Sequence, residues 1–212
     1  MIDLFTKDMR IGEIIHSSTE TIIVEAKNKN LLPKLGSFVL TKYNIDNNDI
    51  LAIGIVSYQG YQPKDLRIPI ALGLTTEELE QQQPHLHDQI QTLFHVWILG
   101  FSNSTDKFSF IPVIPSNPPF LHSFVFPIKS DLEEQLLDDN GLWQIFIEEV
   151  RKKNESDSLF LNLIQRRLKQ ILNPHERWEF LRKIGRMIMK GLLDQQPRAN
   201  ALLRRMALLE KT

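Results

Sequence analysis

The sequence predicts an α+β chain: a small antiparallel six-stranded β-barrel with a helical insertion, followed by an all-helical C-terminal domain. Three observations predict it. The first hundred residues carry short β-branched runs separated by turn clusters, and from Ser130 the apolar period changes to about 3.6 residues. Charge also divides along the chain: residues 1–150 hold 10 Lys and Arg against 20 Asp and Glu, and residues 151–212 hold 15 against 6. A body near −10 and a tail near +9 thus make up the net charge of −1. Such asymmetry points to a polyanionic partner or to two parts of the protein that attract each other.

The barrel is expected over 1–113. Its first strands are Ile11 to Ile15, Thr19 to Ala26 and Ser37 to Thr41, with a fourth from Ile50 to Gln59. The clusters His16-Ser-Ser-Thr, Lys27-Asn-Lys-Asn and Tyr43 to Asp49 read as the turns of an antiparallel meander. No helix among them is long enough for a parallel crossover, which favours a closed barrel. Gly12, Gly36 and Gly54 read as bends or bulges. A helical insertion is expected over about 75–91. Thr75-Thr-Glu-Glu begins a capping pattern, Pro84 ends a first helix, and a second runs near Leu86 to Gln91.

Leu93 to Phe101 is apolar on both parities, as suits a strand covered on both faces, and Lys107 to Val113 is the expected sixth strand beside it. Residues 114–129 read as an extended Pro-rich and aromatic arm packed on the barrel. Five prolines between Pro112 and Pro127 argue against a central strand there, while Phe120, Phe124 and Phe126 argue against a free linker.

The basic helical domain occupies 130–212. Helices are expected from Asp131 to Lys153 (one or a pair), Ser158 to Leu172, Pro174 to Leu193 and Pro197 to Glu210. Asn173 before Pro174 is a cap, and Pro197 stands where a first helical turn tolerates it.

Composition bounds the function. With 42% hydrophobic and 24% charged residues the chain is of ordinary globular type, long enough to bury a core. No apolar run approaches the ~20 residues of a membrane span, and the start lacks the basic-then-apolar order of a signal peptide, so a cytoplasmic location is expected. The absence of cysteine excludes disulfides, thiolate zinc sites and a thiol nucleophile.

The runs Ile11-Gly-Glu-Ile-Ile-His-Ser-Ser-Thr, Leu35-Gly-Ser-Phe-Val-Leu and Ala52-Ile-Gly-Ile-Val, in that order and spacing, resemble the HAS barrel shared by HerA-type helicases and the N-terminal crown of ATP synthase subunits. The resemblance covers roughly residues 8–112. With Pro118-Pro-Phe-Leu-His-Ser-Phe-Val-Phe-Pro127, the chain further looks like stand-alone HAS-barrel proteins of cyanobacterial type. In the large relatives this barrel guides assembly of a hexameric ATPase ring and does no chemistry, so the resemblance to them implies an assembly role with an ATPase ring or another multisubunit complex. No Gly-x-x-x-x-Gly-Lys-Ser/Thr loop occurs, so ATP hydrolysis is not carried over.

No catalytic constellation stands out, and neither enzymatic activity nor a cofactor is expected. His85, His87, Asp88 and His95 offer imidazole and carboxylate ligands, but His at i and i+2 point about 200° apart on a helix and read better as surface histidines. His122 beside Ser123 lacks a nucleophile elbow. The pairs Glu77-Glu78, Glu133-Glu134, Asp138-Asp139 and Glu148-Glu149 lie in polar helical stretches, where solvated faces and helix starts account for them.

Two binding surfaces remain. Phe120, His122, Phe124 and Phe126 are candidate protein-binding residues, for a partner protein or another copy of the chain. Arg182, Lys183, Arg186 and Lys190 fall within about 100° on one helix, opposite Phe180, Ile184 and Met187, and with Arg198, Arg204 and Arg205 form a candidate phosphate-binding set. That second helix would complete a helix-turn-helix-like pair. The reading taken from these features is a non-catalytic interaction and assembly module. A nucleic-acid-binding regulator is the alternative, while intramolecular pairing with the acidic barrel, an anionic membrane surface or a small enzyme with a non-linear pocket also stays open.

Overall fold

A computed structural model describes residues 6–28, 32–45, 48–64, 73–82, 89–103, 108–152 and 156–209. The chain forms two compact units: a barrel unit ending at Pro127, and a helical unit that starts at Ile128 and also takes in Phe110–Pro112.

The barrel unit is a closed antiparallel barrel of strands β1 (Gly12–Ser17), β2 (Thr21–Ala26), β3 (Phe38–Ile45), β4 (Asn48–Pro63), β5 (Ile90–Ser102) and β6 (Phe124–Pro127), ordered β1-β2-β5-β4-β3-β6. Its centre is filled by one parity of each strand: Ile14, Ile22, Val24, Val39, Tyr43, Ala52, Val56, Phe94, Val96, Ile98 and Val125. Fully burying each large apolar side chain stabilises the fold by roughly 1.5–3 kcal/mol. On β5 Leu93 and Leu99 of the other parity are buried too, as its two-sided apolar pattern requires.

The glycines act at defined places. Gly36 has φ 82 in the turn before β3, a conformation that a Cβ would strain. Gly54 sits at a register shift between β4 and β5, where a Cβ would lie 2.8 Å from the Trp97 carbonyl oxygen.

The sixth strand corrects the sequence reading. The described part of Lys107 to Val113, from Phe108 onward, forms no strand, and the barrel closes instead with β6 inside the Pro-rich segment. The reason is length. β6 needs only four residues, and its proline stands at the strand end, where the missing N–H costs little. β6 pairs Gly12 and Glu13 of β1 on one side and Val39 to Thr41 of β3 on the other.

In the insertion, helix α1 (Thr76–Gln82) starts at the expected capping box: the Thr75 amide donates to Glu78 Oε2 at 2.8 Å and the Glu78 amide to Thr75 Oγ1 at 3.2 Å. Hydrogen bonds from the Thr75 amide, and then from its side chain, hold the Glu78 carboxyl below its usual range. Pro84 and the first half of the expected second helix, residues 86–88, lie outside the described residues. Its last two residues, Ile90 and Gln91, belong to β5, paired with Pro63 and Gln62, because the β4–β5 ladder continues beyond the predicted strand ends.

The helical unit contains α2 (Ser130–Asp138), α3 (Asn140–Lys152), α4 (Ser156–Gln170), α5 (Pro174–Gly191) and α6 (Gln196–Leu209). Trp143 is fully buried, meeting Phe160 and Phe180 edge-on at 6.0 and 5.3 Å, and its Nε1 donates to the Leu137 carbonyl at 2.8 Å. Asn173 caps α5 by accepting from the His175 amide at 2.9 Å. Pro112 rests on Gly141 at the start of α3, where a Cβ would come within 2.7 Å of the proline ring.

Candidate interaction surfaces

The first surface belongs to the barrel unit. The arm is bound to the barrel by its backbone: the His122 amide donates to the Ile14 carbonyl at 2.9 Å, and the Ile14 amide to the Ser123 carbonyl at 3.0 Å. Side chains add to this. Ser17 Oγ donates to the Pro119 carbonyl at 2.6 Å, Tyr43 Oη to the Asn117 carbonyl at 3.1 Å and Thr41 Oγ1 to the Phe124 carbonyl at 3.0 Å. Burial of Tyr43 pushes its phenol up to about 12.

This anchoring leaves apolar side chains outside. Phe120 is 59% and Leu121 55% exposed, with Val113 and Ile114 also exposed on the same segment. His122 has φ 65, an uncommon value outside glycine, and its Nδ1 lies 2.7 Å from Glu13 Oε1. Its partner is therefore a carboxylate on β1 and not Ser123. Beside the pair, Arg10, Gly12, Glu25, Ala26 and Lys27 help line an open cleft of about 230 Å3. Phe124 is half-buried beneath the Arg10 guanidinium, 4.6 Å from its ring centroid. Phe126 is 4% exposed on β6, so it serves the fold and does not face a partner.

The second surface belongs to the helical unit. Arg182, Arg186 and Lys190 are exposed along α5 and Lys183 is half-buried, while Leu181, Ile184 and Ile188 are buried on the opposite side. Arg204 and Arg205 are exposed on α6. The helices meet where Gly185 faces Leu203 and Met206. Arg198 departs from the set predicted from sequence: it is bound to Asp157 of α4 and, at 3.1 Å, to Gln195. The sequence shows a cation but not the carboxylate that claims it 41 positions away.

A feature unused in the sequence reading of the stripe is the i,i+4 pair Trp178 and Arg182. The guanidinium carbon lies 5.2 Å from the ring centroid, and Trp178 remains 49% exposed.

Most of the paired carboxylates have structural partners. Asp139 Oδ1 caps α3 by accepting from the Gly141 amide at 2.7 Å, Glu133 pairs with Arg166 at 2.6 Å, and Asp138 binds Arg167. Glu149 pairs with Lys152 at 3.0 Å. His95 lies tilted against Tyr58, ring centroids 4.8 Å apart, and burial lowers its pKa. His85, His87 and Asp88 lie outside the described residues. Among those described, no three His, Asp or Glu residues come together as a metal-holding group. No described helix is long and apolar enough to cross a membrane.

The chain matches no protein-family model and no curated protein.

Proposed function

We propose that the protein is a non-catalytic interaction and assembly module of the cytoplasm, in which the barrel and its arm dock onto a multisubunit complex. The observation that carries this reading is the exposed pair Phe120 and Leu121, presented on an arm already fixed by Ser17, Tyr43 and the Ile14 backbone. An apolar patch held in one conformation loses little entropy on binding, and patches of this kind mark protein contact sites. The resemblance to the HAS barrel of HerA-type helicases and ATP synthase subunits, which guides ring assembly there, supports the same role, with an ATPase ring among the candidate complexes. The partner would offer an apolar groove to the two side chains, with His122 and Glu13 at the polar rim.

The test is affinity recovery from nuclease-treated extract with wild type and with the double variant Phe120→Ser, Leu121→Ser. Recovery of a defined complex by wild type and its loss in the correctly folded variant support the reading. Equal recovery by both proteins, or recovery of nucleic acid alone before nuclease treatment, overturns it.

A further inference from the structure

We propose that the exposed face of α5 and α6 binds single-stranded nucleic acid, with Trp178 as a base-stacking platform and Arg182, Arg186, Lys190, Arg204 and Arg205 along the phosphate path. The inference is independent of the docking role of the arm, since every residue in it belongs to the helical unit.

Charge is the first argument. On the 3.6-residue period Arg182, Arg186 and Lys190 form one line about 12 Å long, and no ion pair engages them among the described residues. Arg204 and Arg205 add two exposed cations on α6, the helix that meets α5 where Gly185 faces Leu203 and Met206. Two acidic side chains near this face have partners of their own: Glu179 lies 3.5 Å from His175 Nε2 and Asp194 pairs with Arg151 at 3.0 Å. Glu148 lines a groove with Lys190, Ile147 and Met187 and bounds the basic face on the side of α3.

The aromatic residue selects among polyanions. An exposed indole beneath a guanidinium gains little for a fold, yet every unpaired base has a π-face to lay on it, and such stacking tolerates any sequence. A duplex hides those faces in its own stack. The helix-turn-helix alternative also needs the start of α6 to reach a backbone, and there Arg198 is held by Asp157. An anionic membrane would require a contiguous apolar face among the cations. The exposed Leu172 and Leu193 instead lie beyond opposite ends of α5, an 18-residue helix about 27 Å long, and Leu208 near the end of α6 is one exposed leucine, too little for such a face.

The test uses the full chain and three probes: labelled oligo(dT), the corresponding duplex, and phosphatidylserine-containing vesicles. Expected results are preference for oligo(dT) over duplex and quenching of tryptophan fluorescence. Neutralising three or four phosphates should weaken affinity roughly 20- to 50-fold between 50 and 200 mM salt. Trp178→Ala should lose the quenching and weaken oligo(dT) binding roughly 5- to 150-fold. The triple variant Arg182→Glu, Arg186→Glu, Lys190→Glu should abolish binding, while Lys169→Glu, a charge reversal at an exposed site on α4, should not. All these side chains but Trp178 are charged and exposed, and circular dichroism verifies each fold. Binding to vesicles but not oligo(dT), equal affinity for duplex and single strand, or an unchanged Trp178→Ala variant overturns the proposal.

Discussion

Tyr43 on β3 meets Phe120 of the arm edge-on, ring centroids 6.1 Å apart, while its hydroxyl donates to the Asn117 carbonyl. One barrel residue thus both fills the core and positions the most exposed phenylalanine of the arm. The phenol must be protonated to donate. Burial raises its pKa to about 12 against about 10 unfolded, so its contribution is complete below pH 10 and is lost as pH rises towards 12. Wild type should lose about 2–3 kcal/mol over that window. Tyr43→Phe should start about 1 kcal/mol less stable and show no such alkaline loss from this site, as urea titrations across the pH range will measure.

Gly54 and Gly185 make a paired prediction about space. At Gly54 a Cβ would collide with Val96 and approach the Trp97 carbonyl, and backbone cannot move aside cheaply. Gly54→Ala should therefore cost about 3 kcal/mol, the upper end for overpacked cores. At Gly185 the nearest atom is the flexible Leu203 Cδ2 at 3.3 Å, and alanine improves helix propensity by about 1 kcal/mol. Gly185→Ala should be neutral or slightly stabilising. Thermal denaturation of both variants decides the matter.

How far the fold was legible follows from these same residues. Apolar periodicity located β1 to β5 and the C-terminal helices, leaving open only whether Asp131 to Lys153 holds one helix or two, because each buries a face whose spacing is written in the sequence. Thr75 and Glu78, and Asn173 with Pro174, marked helix starts because capping is local chemistry. The closing strand was not legible, since four residues among prolines carry no period, and its pairing with Gly12 and Val39 is long-range. The surfaces divide likewise. Exposed Arg182 and Arg186 could be placed from helical spacing alone, whereas the burial of Phe126 and the capture of Arg198 by Asp157 depend on tertiary neighbours.

That capture yields a prediction separating structure from binding. The Arg198 and Asp157 side chains are 16% and 20% exposed, so removing either leaves its partner partly desolvated. Arg198→Ala and Asp157→Ala should each destabilise the helical unit by about 1–3 kcal/mol, and the double variant by less than their sum. A double-mutant cycle in urea checks the coupling. At temperatures where Arg198→Ala is fully folded, its oligo(dT) affinity should stay within about twofold of wild type, because a guanidinium already held by a carboxylate neutralises no phosphate.

His95 gives the fold an acid-sensitive point. It pairs with Ile23 of β2 and Tyr58 of β4, and its ring lies against the Tyr58 ring inside a three-strand ladder. Desolvation disfavours the imidazolium, so the native pKa falls below the unfolded value of about 6.5. Stability from this residue is complete above pH 6.5, since both states are then neutral. As pH falls, the unfolded chain takes up a proton that the native chain refuses, and stability declines until pH passes below the native pKa. His95→Phe keeps a ring against Tyr58 and removes the titrating group. The difference in unfolding free energy between wild type and His95→Phe should therefore be constant above pH 7 and shift in favour of the variant below pH 6. A difference independent of pH would show that the imidazole is as well solvated in the barrel as in the unfolded chain.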